Sequence, residues 1–372
     1  MKKIKLKHFV ATSLAIGTIL FFSAWGGQGH FKISSEVANS FPTELLSIFN
    51  WTDTLATHAS DADDRKQWDP NEAVRHYIDI DNYTGFLEDG RIPQTFDSAV
   101  AIYGNNFVIT NGTLPFTILN CYDSLKTNFE QENWNKVAFF ASDLGHYVAD
   151  GHMPLHITRN YNGQYTNQTG VHARYESHLI NLFISQIPYT TPEIAYIENV
   201  NQYVFNFIYS NYTYVDSVLI DDAAAYAYAG NYNSAEYFNT YWQASQEYTT
   251  YLFNEATKSI AQMIYTAWID AGSPTPPVGI PNTNLQNSTQ TVDIYPNPAK
   301  TFFEISFQNS QLNNQNILIT IYNSNGKIVE KKSCTISDNT ILKFDVESYL
   351  QGIYFCEIKT ETQKIIKKII VL

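Results

Sequence analysis

The chain has 372 residues, 44% of them hydrophobic, which is enough for two domains with their own cores. Its 23 Lys and Arg against 36 Asp and Glu give a formal net charge of −13, a balance ill suited to gripping a phosphate backbone by counterion release. Three cysteines, Cys121, Cys334 and Cys356, exclude a disulfide framework, although Cys334 and Cys356 could pair or stand as free thiols.

At the N-terminus, Lys2, Lys3, Lys5 and Lys7 precede an apolar run from Phe9 to Phe22, the layout of a secretory signal. The run is shorter than the ~20 residues of a spanning helix, so residues 1–24 are read as a cleaved signal peptide and no stable membrane span is expected. From Trp25 to Gly272 long segments carry apolar residues at helical spacing, Trp134 to Ala149 and Tyr241 to Ile269 among them. This region is expected to be all-α. It holds ten basic and 28 acidic residues, a net of −18, which several bound divalent cations would partly offset.

Residues 273–291, rich in Pro, Gly, Asn, Ser and Thr, read as an exposed linker. Beyond them FFEISF (Phe302 to Phe307), ILITIY (Ile317 to Tyr322) and GIYFCEI (Gly352 to Ile358) are β-branched, aromatic and near-alternating, and Asn325-Gly326 is a turn signal. A small all-β sandwich over 292–372 is expected. Four landmarks in order, IYPNPAK (Ile294 to Lys300), NSNGKIV (Asn323 to Val329), LQGIYF (Leu350 to Phe355) and the closing KIIKKIIVL, make this tail resemble the C-terminal sorting domain of the type IX secretion system. The resemblance implies a partner in the type IX secretion machinery. It also implies passage through the periplasm to the cell surface or the medium, often with later removal of the domain.

Within the helical region two pairs are spaced i, i+4, a spacing that turns two side chains of one helix toward one ion: His146 with Asp150 in HYVADGHMPLH, and His172 with Glu176 in HARYE. His156 follows Pro154, where that helix would have ended. Upstream stand His30, Asp61 in HASDADDRK, and His76 in VRHYIDID. Imidazoles and carboxylates without thiolates suit zinc. In this order and spacing the residues resemble the superfamily of zinc-dependent phospholipase C and S1/P1 nuclease, whose all-helical fold carries a trinuclear zinc site.

Carried onto this chain, the resemblance implies about three Zn2+. Asp61, His76, His146 and Asp150 would hold one; His156, His172 and Glu176 a second; His30, the bridging Asp150 and the amine and carbonyl of Trp25 the third. Asp61 is the candidate ligand and general base, with Asp63 its rival because DADD offers three acids at nearly one spacing. His58, His152 and His178 read as supporting or surface residues. Arg75 and Arg174 read as partners of nearby acids rather than as phosphate ligands.

The expected activity is hydrolysis of phosphate esters by a metal-activated water in a secreted protein. Glu176, the short interval from His156 to His172 and the lack of disulfides look like the phospholipase C branch, whose substrate is a phospholipid; the Trp25-to-His30 interval looks like the branch that cuts single-stranded nucleic acid. A phospholipase C-type phosphodiesterase is preferred, with an S1/P1-type nuclease as the alternative. A non-catalytic surface-binding module that retains a metal core is the alternative of another class.

Overall fold

A computed structural model describes residues 26–276, 291–297, 299–308, 316–323, 327–336, 340–350, 352–359 and 364–371. The signal segment, Trp25, most of the expected linker and the Asn325-Gly326 turn lie outside the described residues. The chain divides into two compact units between positions 276 and 277.

The first unit is helical, as expected. Its centre is the Trp134–Asp150 helix, in which every residue from Ala141 to Asp150 is buried. A helix end enclosed on all sides must be surrounded by other helices. Here Leu114–Glu130 and Ala235–Asp270 pack against it, and Gly26–Glu36 adds a further face. The helix stops at Asp150, four residues before Pro154, because backbone turns through Gly151 and Met153 replace the helical ladder there. The Ala235–Asp270 helix begins earlier than its apolar pattern suggests, since the Ser234 hydroxyl caps the Tyr237 N–H.

His76 sits on irregular chain that needs outside support. Thr113 N–H donates to Val74 O, and Leu114 N–H to Tyr77 O. Gly112 makes this contact possible: at φ 84 it is left-handed, and a Cβ there would lie 2.1 Å from Tyr77 O. Ile78 N–H donates to His156 O while His156 Nδ1 donates to His76 O, which locks these two segments together.

The second unit is a sandwich of antiparallel sheets. Strands β1 (Thr291–Tyr295), β2 (Phe302–Gln308) and β5 (Thr340–Asp345) pair in the order β1-β2-β5; β3 (Asn316–Asn323), β4 (Ile328–Thr335), β6 (Gly352–Lys359) and β7 (Lys364–Val371) pair as β4-β3-β6-β7. Phe303, Ile305, Phe307 and Phe344 from one sheet meet Ile317, Ile319, Ile321, Cys356 and Ile358 from the other. Cys334 on β4 and Cys356 on β6 flank β3 on opposite sides, opposite Ile317 and Ile321, so the strand between them keeps them apart and both are free thiols.

His152 is neither a surface residue nor turned toward the other histidines. It is buried, stacked on Phe207 at 4.6 Å, with Nδ1 donating to Val148 O and Nε2 facing the Ser259 hydroxyl. Burial pulls its pKa down from 6.5 to about 4. The unfolded chain therefore binds this proton more readily, and the stability that the neutral ring provides above pH 6.5 is lost as pH falls toward 4. The contribution is on the order of 3 kcal/mol. The stability of His152→Gln, followed by urea unfolding, is expected to fall less steeply than wild type between pH 6.5 and 4; equal slopes would remove His152 as the cause.

Candidate metal centre

The Trp134–Asp150 helix brings His146 and Asp150 to one face, one turn apart. His30 enters from Gly26–Glu36 and stacks on His146, ring centroids 4.0 Å apart. Asp63 comes from the short Asp61–Arg65 helix, His76 from the turn after Ala73–Arg75, and His156 from the turn Pro154–His156. His172 and Glu176 belong to a helix that starts as α at Val171–Ala173 and widens into a π turn at Arg174–Leu179.

Asp150 lies at the middle and is fully buried. Its Oδ2 is 2.9 Å from His76 Nδ1 and 3.5 Å from His146 Nε2; its Oδ1 is 3.4 Å from His30 Nε2 and 3.7 Å from His156 Nδ1. Asp63 Oδ1 stands 3.5 Å from His76 Nδ1 and 3.6 Å from His146 Nε2. Glu176 Oε2 stands 3.0 Å from His172 Nε2 and 3.5 Å from His156 Nε2. Three sets of ligand atoms, each within 4.8 Å, result among the described residues: His30, His146 and Asp150; Asp63, His76 and His146; His156, His172 and Glu176.

The outer nitrogens of four rings are already committed. His146 Nδ1 donates to Ala59 O at 2.7 Å, His156 Nδ1 to His76 O at 2.7 Å, His172 Nδ1 to Tyr161 O at 3.1 Å, and His76 Nε2 to the Glu72 carboxylate at 3.2 Å. A backbone carbonyl only accepts, so the outer nitrogens of His146, His156 and His172 carry the proton and the opposite ones offer a lone pair inward; His76 meets a carboxylate at each nitrogen, Glu72 at 3.2 Å and Asp150 at 2.9 Å. His76 Nδ1 and Asp150 Oδ2, 2.9 Å apart, share either a proton or a positive ion between them. Both ring nitrogens of His30, Asp63 Oδ2, Asp150 Oδ1 and both Glu176 oxygens are buried without a hydrogen-bond partner. Unsatisfied acceptors gathered around imidazole lone pairs are a donor set that fits zinc.

Charge supports the same fit. Burial lowers the His146 pKa to about 3, keeping the ring neutral. Burial alone would push Asp150 up, but His146 and His156 outweigh it and hold Asp150 well below the ordinary range; His146 and Lys66 do the same for Asp63. His156 is the exception, because Asp150 and Glu176 raise it despite burial and favour the protonated ring, which has to lose its proton before it ligates a metal. Neutral rings and ionised carboxylates are the forms that ligate metal.

One expected ligand is not brought in. Asp61 points outward, its carboxylate 2.7 Å from the exposed His58. Asp63 takes the place, since two residues along a short helix turn the side chain through roughly 200° and reverse its face. Its Oδ1 also receives Lys66 Nζ at 2.7 Å. Trp25 lies outside the described residues; Gly26, which follows it, packs beside Glu176 and Ser177.

Arg174 is buried and pairs with Asp222 at 2.8 Å, and Arg75 pairs with Glu72 at 2.6 Å, so both serve acids as expected. His178 is exposed at the edge of Phe238. Sequence reasoning passed over Glu72, although its i, i+4 relation to His76 within NEAVRH was a usable signal.

Residues 293–372 match the family described as the secretion system C-terminal sorting domain. The chain carries a sorting domain for export. It is therefore an exported protein of the cell surface or the medium, and no helix of the described residues is long and apolar enough to cross a membrane. A curated relative, beta-agarase A of Zobellia galactanivorans, is 35% identical over 83 residues, which are 22% of this chain and only 14% of that protein. Among solved structures, alpha toxin from Clostridium absonum is 11% identical at a TM-score of 0.40, with 94% of this chain and 95% of that one covered. Clostridium perfringens alpha-toxin from an avian strain is 11% identical at 0.39 with the same coverage. Likeness of that degree is too loose to support a correspondence between residues.

The two aspartates separate cleanly. Asp63→Asn is expected to lose tightly bound metal, whereas Asp61→Asn, which breaks only an exposed contact, keeps wild-type metal content. Elemental analysis of the two purified variants checks this, and the opposite pattern would return Asp61 to the site.

Proposed function

We propose that the helical unit is a phosphodiesterase of the phospholipase C type that holds about three zinc ions among His30, Asp63, His76, His146, Asp150, His156, His172 and Glu176. The observation that supports it best is the inward set of lone pairs: four rings committed outward, with Asp63, Asp150 and Glu176 oxygens left unsatisfied among them. A structural zinc closes its coordination with four protein ligands. Here eight side chains are spread over three sets, with His146 and Asp150 each placed between two of them, so on average fewer than four protein ligands fall to each ion and positions are left for substrate.

Zinc bound there would supply positive charge to the oxygens of a phosphate ester and lower the pKa of a water. Asp63, whose Oδ2 has no hydrogen-bond partner, would be placed to orient such a water and accept its proton. Asp150 holds the sets together from within. The side chains of Asp63, His156 and His172 keep 10%, 6% and 5% exposure while Asp150 and His30 keep none, so substrate reaches the centre from the side of those three.

Trp25 completes the His30 set in this reading, through a main-chain amine that exists only if the signal is cut after Ala24. A protein retaining one extra Met before Trp25 is expected to lose about one zinc and most of its activity, since an amide nitrogen has no lone pair to give. Full zinc content and turnover in that protein would remove Trp25 from the site.

Zinc-loaded protein assayed on phosphatidylcholine and single-stranded DNA side by side tests the reaction. Hydrolysis of the lipid, abolished by chelation together with a fall in melting temperature, is expected. Cleavage of DNA alone would replace the phospholipase reading with the nuclease one, and zinc-replete protein inert on both would leave a non-catalytic metal core.

A further inference from the structure

Among the four rings with committed outer nitrogens, His76 differs twice. The other three donate Nδ1–H to neutral backbone carbonyls and turn Nε2 inward; His76 sets Nε2 against the carboxylate of Glu72 at 3.2 Å and turns Nδ1 inward to Asp150. That carboxylate, Glu72, is buried and touches none of the other ligands. Its Oε1 also accepts from the Tyr147 hydroxyl, and its Oε2 from Arg75 Nη1 at 2.6 Å and Arg65 Nε at 3.4 Å. Arg65 is itself pinned by a two-pronged pair with Asp143 at 3.0 and 2.8 Å and donates to the Tyr147 hydroxyl at 3.1 Å. Four donors from three segments thus hold both oxygens of Glu72 in place.

We infer that Glu72 is a positioning residue of the metal centre, which fixes His76 as its Nε2–H tautomer and makes it the strongest electron donor among the rings. The inference rests on the metal-binding reading of the site. A hydrogen bond to an ionised acceptor is about twice as strong as one to a neutral carbonyl, and negative charge on the outer nitrogen's partner raises the basicity of the inner one. The donation reaches only the set of Asp63, His76 and His146. Arg65, Arg75 and Tyr147 all donate to Glu72, so its oxygens are held as acceptors facing His76. The i, i+4 spacing explains the reversed nitrogen: Glu72 approaches His76 from its own chain, on the side away from Asp150.

Zinc titration of the full chain against a competing chelator, resolving each equivalent, tests this. In Glu72→Gln one equivalent is expected to weaken by about 10- to 100-fold while the others keep wild-type affinity, and the deshielded His76 Nε2 proton disappears from the 15N-histidine NMR spectrum. Unchanged binding of every equivalent in folded Glu72→Gln, or equal weakening of all of them, would overturn the assignment. Tyr147→Phe supplies a test of opposite sign if Glu72→Gln fails to fold. Removing a donor from Oε1 leaves more charge facing His76, so the same equivalent binds as tightly as in wild type or tighter, and a loss there would show that packing sets the affinity. Wild-type protein that binds no zinc would instead sink the metal reading itself.

Discussion

Asp150 is a carboxylate with no exposed surface at the end of the central helix, and imidazoles approach both its oxygens. An ionised carboxylate alone in such a place would cost many kcal/mol and would take up a proton instead. Its neighbours oppose that outcome by holding its pKa far below the usual range. The helical unit is arranged around this group: helices enclose it, and the side chains that meet it each come from a different stretch of chain.

The outer hydrogen bonds make site and fold one construction. His146 ties the central helix to Ala59, His156 ties its turn to His76, and His172 ties the helical turn before the π turn to Tyr161. Each ring is at once a cross-link between segments and, in the proposed centre, a ligand with a fixed tautomer. Arg174 cross-links in a similar way at the start of the π turn, where Asp222, Tyr237 and the carbonyls of Gln168 and Thr169 saturate its guanidinium. Metal bound to such a frame meets ligands ordered beforehand, and the rotamer entropy of buried imidazoles is lost on folding rather than on binding.

The sorting domain follows a different logic. Its core is aliphatic and aromatic, drawn from alternate positions of both sheets, and its sequence carries nine lysines against eight acids. The helical region carries the excess of acid, some of which is the carboxylate set of the metal centre. Charge is thus divided by task along the chain, with the acidic residues concentrated where cations would offset them.

Much of this was legible in the residues. Apolar spacing marked the helices, alternation marked the strands, and i, i+4 pairs marked His146 with Asp150 and His172 with Glu176, because a regular element's period decides which of its own side chains share a face. Spacing could not choose between Asp61 and Asp63: both lie on one short helix, and only the position of His76 and His146 beside it decides which face is inside. The π turn was hidden because its register depends on what packs around it; the spacing of Glu72 to His76 was a signal, but its further partners Tyr147 and Arg65 arrive from separate segments. Periodicity acts within an element, whereas the meeting of elements is set by the close packing of all of them at once.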